Sequence, residues 1–283
     1  MSEHTVYEGH TVYGAPPSGP MHIRPGRIAS LLDRLRPAGL EPSKDKPIGR
    51  WGYRLFEADA DLDIAIEINE YFCDEETVHD DERAHDMKLS QMVHQSDPCT
   101  PRELIAHYNT AGYKLELAEH VDLCREYLDS GSGWILMHEY RHKENWIHPS
   151  GFNRKYMIII LGALMMRAGA KIDADDMKHL RELVWQVNCS DGKCATADDW
   201  GFRAPGKVQF LAALDNYKTG VPRSFQEPSC FTCGKIASDI KKALMKCSKC
   251  DRAWYCDRYC QKSDWSAHKD TCIESQKRNT INV

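Results

Sequence analysis

The chain contains a histidine-rich motif with the ligand spacing of a metalloprotease zinc site. The stretch HEYRHKENWIH covers residues 138–148. Two histidines four residues apart share one face of a helix and can bind zinc there, and the glutamate after the first histidine can act as a general base. A further histidine follows six residues later. The motif raises the hypothesis of a zinc-dependent peptidase that uses His138, Glu139, His142 and His148.

Zinc sites of the longer metzincin pattern have a glycine at the position of Asn145, but asparagine tolerates a left-handed backbone, so this difference does not exclude the motif. Three observations argue against a peptidase. With 13 histidines in 283 residues, an H-E-x-x-H pattern has an appreciable chance of arising from composition alone. Leu136 and Met137 help to form the apolar face of the predicted helix, so the histidines fall on its polar side, whereas an active-site helix of this kind is buried. No Met-turn follows downstream. We therefore interpret the motif as an exposed helix with a Glu139–Lys143 ion pair, and we keep the metallopeptidase as the alternative function.

A second set of potential metal ligands lies further along the chain. Eight cysteines and histidines occur as four close pairs: Cys230 and Cys233, Cys247 and Cys250, Cys256 and Cys260, and His268 and Cys272. The two C-x2-C pairs suit the tight turns of zinc knuckles, and the two pairs with a spacing of four each share a helix face. Because each zinc ion takes four such ligands, the series predicts two ions. The segment is too short and too poor in aliphatic residues to fold without them.

The hallmark run CSKCDRAWYCDRYCQKSDWSAHKDTC, residues 247–272, closely resembles the MYND zinc finger. The resemblance covers residues 230–272, and its one loose feature is the long 13-residue spacing after Cys233. It implies two cross-braced sites, one formed by Cys230, Cys233, Cys256 and Cys260 and the other by Cys247, Cys250, His268 and Cys272. With four protein ligands each, both zinc ions would be structural rather than catalytic.

The same resemblance implies a function in protein–protein interaction. MYND fingers bind proline-containing peptides, and by position the contacts would come from Ser248, Gln261 and Trp265. An indole face suits a proline ring, and a glutamine amide can pair with an extended peptide backbone. The resemblance also suggests a role in transcriptional regulation. Some MYND proteins carry a methyltransferase SET domain, but this sequence has no recognisable SET motif, so no enzyme activity is predicted.

The composition is that of an ordinary soluble protein. Of 283 residues, 28% are charged and 42% are hydrophobic, and the net charge is −5. No apolar signal segment opens the chain, and the longest apolar run, residues 156–166, is too short to cross a membrane. The C-terminal part is basic, but its charge is diffuse and no helix presents a row of arginines, so DNA is not an expected partner. We expect a location in the nucleus or the cytoplasm.

The rest of the sequence predicts a mostly α-helical body that precedes the cross-braced two-zinc finger. The boundaries that we expect are a disordered segment at 1–48, a mainly helical domain of unknown role at 49–220, a linker at 221–229, the finger at 230–272 and a tail at 273–283. Two stretches, WGYRLFEADADLD and ILGALMMRAGAKI, are similar to a family of uncharacterised, mainly fungal proteins.

Local signals place helices along the body. Thr100-Pro101-Arg102-Glu103 is a capping-box pattern with proline in the first helical position. The patterns predict further helices after a loop within 56–72, at 113–127, at 155–168, from Asp173 to about residue 187, and at 207–217. The helix at 155–168 is apolar on all sides, which predicts that it is buried.

Overall fold

The computed structural model of the protein describes residues 51–73, 88–93, 100–146, 148, 151–190 and 201–272. The segment 1–48 and the tail 273–283, predicted from the sequence, lie outside these residues. The described residues belong to one unit that spans 48–283. Within it, a helical body is followed by a small finger.

Helices dominate the described part of the body, as predicted. They are α1 (Asp59–Cys73), α2 (Arg102–Tyr108), α3 (Ala111–Tyr127), α4 (Gly133–His142), α5 (Arg154–Ala168), α6 (Ala174–Leu183) and α7 (Ala204–Asn216). A 3₁₀ turn spans Leu89–Met92, and a π-helical turn, Leu128–Ser132, joins α3 to α4. The short strands β1 (Cys189–Ser190) and β2 (Phe202–Arg203) pair in parallel.

Helix α5 forms the centre of the body. Every residue from Tyr156 to Ala168 is buried, and the helix contacts α1, α3, α4 and α6. Asn153 caps its N-terminus by accepting hydrogen bonds from the backbone N–H groups of Lys155 and Tyr156. Gly169 ends it in the left-handed conformation, with φ of 78°. The prediction of a buried apolar helix is confirmed. No helix in the described ranges combines the length and the apolarity that crossing a bilayer requires.

The start of α2 differs from the capping-box prediction. Pro101 is itself the N-cap residue, with φ of −54° and ψ of 142°, and no side chain caps the helix. Because the proline occupies the N-cap position, the helix begins one residue later than the pattern indicated, and Thr100 lies too far back to cap it. The next helix is capped by a side chain: the Thr110 hydroxyl accepts a hydrogen bond of 3.2 Å from the Tyr113 N–H.

The finger is built from short elements around a small core. A hairpin of strands β3 (Met245–Lys246) and β4 (Trp254–Tyr255) lies between the one-turn helix α8 (Ala237–Ile240) and the helix α9 (Arg258–His268). Tyr255 is fully buried, and its hydroxyl donates a hydrogen bond of 2.7 Å to the Asp264 carboxylate on α9. This contact fixes α9 against the hairpin.

The segment 221–229 joins the body to the finger and packs closely against the body. Phe225 is 1% exposed. The Gln209 side chain on α7 donates a hydrogen bond of 2.9 Å to the Phe225 carbonyl and accepts one of 3.1 Å from the Leu55 N–H. The Arg223 N–H donates to the Met166 carbonyl at 3.0 Å. Since these buried polar groups satisfy one another, the path of the segment is well defined.

A buried ion pair fastens the finger to this segment. The Arg223 guanidinium donates two hydrogen bonds of 2.8 Å to the two carboxylate oxygens of Asp239, and the side chains are only 7% and 6% exposed. Burial raises the pKa of Asp239, but the hydrogen bonds from Arg223 and from the Ile236 N–H outweigh it and hold the pKa below the ordinary value of 3.8. The pair is therefore charged at neutral pH. Nearby, the Tyr53 and Phe231 rings pack edge to face at 5.8 Å.

The finger also approaches α7 at Gly234, where any side chain would overlap the backbone of α7. Gly234 has φ of 72°, and a Cβ atom there would lie 1.9 Å from the Val208 carbonyl oxygen and 2.6 Å from the Gln209 nitrogen. The contact is therefore backbone against backbone. It requires both the left-handed conformation and the missing side chain of glycine.

We expect Gly234→Ala to lower the free energy of unfolding by about 2–5 kcal/mol, because it adds a left-handed strain of about 1–2 kcal/mol to a steric overlap that costs about 1–3 kcal/mol. The control is Gly220→Ala. Gly220 has φ of 81°, but its Cβ would meet nothing within 4 Å, so it should show the strain alone. Chemical denaturation of the zinc-loaded chain measures both values; equal losses for the two variants would contradict the overlap with α7.

Candidate metal centre

The first cluster of metal ligands joins the start of the finger to the start of α9. Its four thiols are those of Cys230, Cys233, Cys256 and Cys260, and their sulfur atoms all lie within 4.8 Å of one another. The loop that carries the first pair is closed by a hydrogen bond of 2.8 Å from the Gly234 N–H to the Cys230 carbonyl. Asp257 caps α9 by accepting a hydrogen bond of 2.9 Å from the Cys260 N–H.

The second cluster joins the hairpin to the end of α9. It consists of Cys247, Cys250, His268 and Cys272, with all ligand atoms within 4.8 Å of one another and all four residues buried. Cys250 Sγ lies 3.5 Å from His268 Nε2, and Cys247 Sγ lies 3.8 Å from Cys272 Sγ. Asp251, with φ of 56°, completes the tight turn by donating its N–H to the Cys247 carbonyl at 3.0 Å.

The two clusters are interleaved along the chain. The first takes the first and third ligand pairs, and the second takes the second and fourth pairs. Helix α9 contributes a ligand to each cluster, near its beginning and at its end. The structure thus brings together all eight predicted ligands, in the two groups that the resemblance implied. The side chain of Thr232, which the sequence did not single out, donates a hydrogen bond of 2.7 Å to the Cys260 carbonyl and ties the two ends of the first cluster together.

Two thiols of the first cluster have pKa values that are shifted in opposite directions. Burial raises the pKa of Cys230, but hydrogen bonds from the backbone N–H groups of Cys233, Cys256 and Thr232 outweigh it, so the pKa falls below the ordinary 9.0. At Cys260, burial and the adjacent Cys230 raise the pKa to about 12. Four thiolates this close repel one another unless a cation lies between them. The positive charge of a bound divalent ion offsets that repulsion and so favours the deprotonated form of every thiol that binds it.

The second cluster also contains two thiols whose pKa values are shifted in opposite directions, and it contains a histidine. Burial raises the pKa of Cys247, and backbone hydrogen bonds from Cys250 and Lys249 outweigh it and lower the net value. Burial and the adjacent Cys247 raise the pKa of Cys272 to about 12. Burial also lowers the pKa of His268, which favours the neutral imidazole that binds a metal.

Both donor sets fit structural zinc. One set consists of four cysteines, and the other of three cysteines and one histidine. Both sets are usual for a tetrahedral zinc ion held entirely by protein ligands. Soft thiolates exclude magnesium and calcium, which prefer oxygen ligands. The residues therefore hold two zinc ions, and each ion's charge would stabilise the thiolates around it.

Of the residues predicted to contact a peptide, Ser248 and Trp265 lie beside ligands of the second cluster, and Gln261 directly follows Cys260 of the first. Ser248 is exposed in the turn between Cys247 and Cys250. Gln261 and Trp265 are four residues apart on α9 and share one face of that helix. The Trp265 side chain is 46% exposed, and its ring packs edge to face on the His268 ring at 6.1 Å. The indole thus rests on a zinc ligand and still presents a surface to solvent.

The residues of HEYRHKENWIH make separate contacts. The ring of His138, which is exposed, stacks on Trp134 at 5.1 Å. Glu139 forms the predicted ion pair with Lys143 at 2.8 Å. The histidine at the end of the motif, His148, is buried beside α1, where its Nε2 lies 2.8 Å from Glu67 Oε1.

The peptidase hypothesis needs four of these side chains, His138, Glu139, His142 and His148, to meet at one point. Across the described ranges, the groups with ligand atoms converged for a metal are the two in the finger. The motif is therefore not assembled as the metalloprotease pattern requires.

Comparison with known proteins gives the same assignment for the finger. A family model described as the MYND finger matches residues 230–272. No solved structure matches the chain.

The similarity to curated proteins covers only a small part of each. The histone-lysine N-methyltransferase ASHR1 of Arabidopsis thaliana is 44% identical over 13% of this chain and 9% of that protein. The N-lysine methyltransferase SMYD2-A of Danio rerio is 33% identical over 25% and 18%. Deformed epidermal autoregulatory factor 1 of Drosophila melanogaster is 30% identical over 27% and 13%. The chain thus matches less than a fifth of the length of these relatives. What they share with it, and what the two ligand clusters build, is a MYND-type zinc finger at residues 230–272.

Proposed function

We propose that the finger binds a proline-containing segment of a partner protein, through a surface formed by Ser248, Gln261 and Trp265. The observation that carries this proposal is the position of Trp265. It is a large aromatic side chain, 46% exposed, on a helix that two zinc clusters hold in place. An aromatic side chain on a rigid support loses little conformational entropy on binding, and such residues dominate the energy of protein interfaces.

The chemistry of the surface suits an extended peptide. The face of an indole packs well against a proline ring, whose conformation is already restricted before binding. The Gln261 amide offers both a donor and an acceptor to the peptide backbone, and the Ser248 hydroxyl offers a further hydrogen bond. The contact set is small, which fits recognition of a short segment.

The arrangement of the finger on the body leaves this surface accessible. The finger contacts the body and the segment 221–229 through Phe231, Gly234 and Asp239, which precede the hairpin. Ser248, Gln261 and Trp265 follow β3 and retain exposure to solvent. A partner can therefore reach the peptide surface without displacing the body.

The test uses an array of proline-containing peptides, followed by fluorescence anisotropy of the best binder with the zinc-loaded full-length chain. We expect Trp265→Ala to weaken binding about 10-fold or more, because a central aromatic contact contributes about 2 kcal/mol. The control is Tyr259→Ala, which removes an 80% exposed aromatic ring from a different face of the same helix.

Both variants should keep both finger zinc ions in native mass spectrometry, since neither residue is a ligand of the two clusters. If the Tyr259 variant loses as much affinity as the Trp265 variant, or if Trp265→Ala binds like the wild type, the peptide surface lies elsewhere on the finger.

At the level of the cell, we propose that this interaction serves transcriptional regulation in the nucleus or the cytoplasm. The support is the finger itself, a zinc-binding protein-interaction module, together with its similarity to a protein whose name describes a regulatory factor. Reporter assays with the wild type and Trp265→Ala test this role. A reporter that responds equally to both would separate any regulatory role from the peptide surface.

A further inference from the structure

A cavity on the body collects three histidines and a glutamate that the finger does not use. Its volume is about 430 Å³, and it is lined by His138, Arg141, His142, Glu144 and His179. The first two histidines come from α4, Glu144 from the turn after it, and His179 from α6. Imidazole nitrogens and a carboxylate oxygen in one cavity are the donors that a first-row transition ion prefers.

Two of the donor atoms are buried side by side. Glu144 Oε2 and His179 Nε2 form an ion pair at 2.8 Å, and neither atom has a hydrogen-bond partner beyond it. Buried polar atoms depend on their partners, because water cannot replace them. A zinc ion bound by both atoms would replace their pairing with each other after a small separation of the two side chains.

The other two donors lie on one face of α4. His138 and His142 are four residues apart, so their side chains project in the same direction. Both are exposed, so their imidazoles can turn toward the cavity without repacking the core, although His138 must leave its stacking contact with Trp134. An i, i+4 histidine pair of this kind can chelate one ion.

The charges around the cavity favour a cation. Arg141 is the cationic side chain of the lining, and it forms an ion pair with Asp176 on α6. Its charge is thereby offset, while Glu144 supplies a negative charge beside the histidines. The ligand set also differs from the metalloprotease pattern, because Glu139 and His148 are engaged by Lys143 and Glu67.

We propose that His142, Glu144 and His179, joined by His138, form a third zinc site, on the body and independent of the finger. In this site the i, i+4 histidine pair of HEYRHKENWIH binds the ion together with Glu144 and a histidine from α6. The site is more exposed than the finger clusters, and its ligands move on binding, so it binds zinc more weakly and reversibly.

The test is a zinc count on the full-length chain. The protein, with both finger sites loaded, is dialysed to equilibrium against low micromolar free zinc and examined by native mass spectrometry. We expect three zinc ions in the wild type. Single replacements His142→Ala and His179→Ala should each weaken the third ion about 100-fold or more, because loss of a direct ligand costs at least as much as loss of its supporting partner.

His107→Ala is the matched control, since it removes an exposed histidine of α2 far from the cavity in sequence, and it should keep three ions. Zinc-dependent shifts of the His142 and His179 imidazole nitrogens in NMR spectra give a second readout. Two ions in the wild type would overturn the proposal, and so would a third ion that survives both His142→Ala and His179→Ala. A third ion that requires His148 but not His179 would also overturn it, in favour of the metalloprotease ligand set.

Discussion

Replacement of Cys256 by serine is expected to unfold the finger and to give the largest loss of stability of any substitution considered for this chain. A structural zinc site contributes about 10–16 kcal/mol to the folding of a small finger, and the hydrophobic core here is too small to replace it. Because α9 holds ligands of both clusters, loss of the first zinc should also weaken the second. Native mass spectrometry should find fewer than two finger-bound zinc ions, and the NMR signals of residues 230–272 should collapse to those of an unfolded segment.

The control for this variant is Cys189→Ser. Cys189 is exposed and lies in β1, outside both clusters, so its replacement should leave two finger zinc ions and the finger signals unchanged. If Cys256→Ser keeps a folded finger with two zinc ions, the first cluster is not the metal site that its geometry indicates.

Replacement of Asp239 by alanine is expected to lower the free energy of unfolding by about 3–5 kcal/mol, because it leaves a buried guanidinium without its partner. The Arg223 side chain is 7% exposed, and both its hydrogen bonds of 2.8 Å end on this carboxylate. Chemical denaturation followed by intrinsic fluorescence measures the loss. Hydrogen exchange should become faster in the segment 221–229, where Arg223 lies.

The matched control for this ion pair is Asp215→Ala. The Arg181–Asp215 pair has the same distance of 2.8 Å, but its side chains are 45% and 60% exposed, so its loss should cost at most about 1 kcal/mol. The double variant Arg223→Met, Asp239→Ala should lose less stability than Asp239→Ala alone, since no unpaired charge remains. Similar losses for Asp239→Ala and Asp215→Ala would show that the finger is not held through this pair.

The sequence predicted best those features that depend on local spacing. The eight zinc ligands were evident because each pair must lie close along the chain to form a knuckle or to share a helix turn. The buried helix α5 was evident because its apolar residues leave no polar face. The Glu139–Lys143 pair followed from the same helical periodicity, and it is present at 2.8 Å.

Contacts between segments that are distant along the chain could not be predicted from the sequence. Gly234 contacts the backbone of Val208, and a backbone contact of this kind does not depend on which side chain the partner residue carries. Arg223 and Asp239 are 16 residues apart, in a stretch without helical or strand periodicity. The same limit applies to His148. Its spacing along the chain predicted that it would act with His138 and His142, whereas in the fold it contacts Glu67 on α1.

The docking of the finger on α7 and on the segment 221–229 has a consequence for the body as a whole. Gln209 on α7 holds both Leu55 and Phe225, and Phe225 belongs to the same hydrophobic core as α5. A ligand that binds only the folded state shifts the folding equilibrium by mass action. Zinc is such a ligand for the finger. Because the finger is docked on the body, the free zinc concentration should also affect the stability of the body helices, although these helices contain none of the finger's zinc ligands. The melting temperature of the body should therefore rise and fall with the zinc supply of the cell.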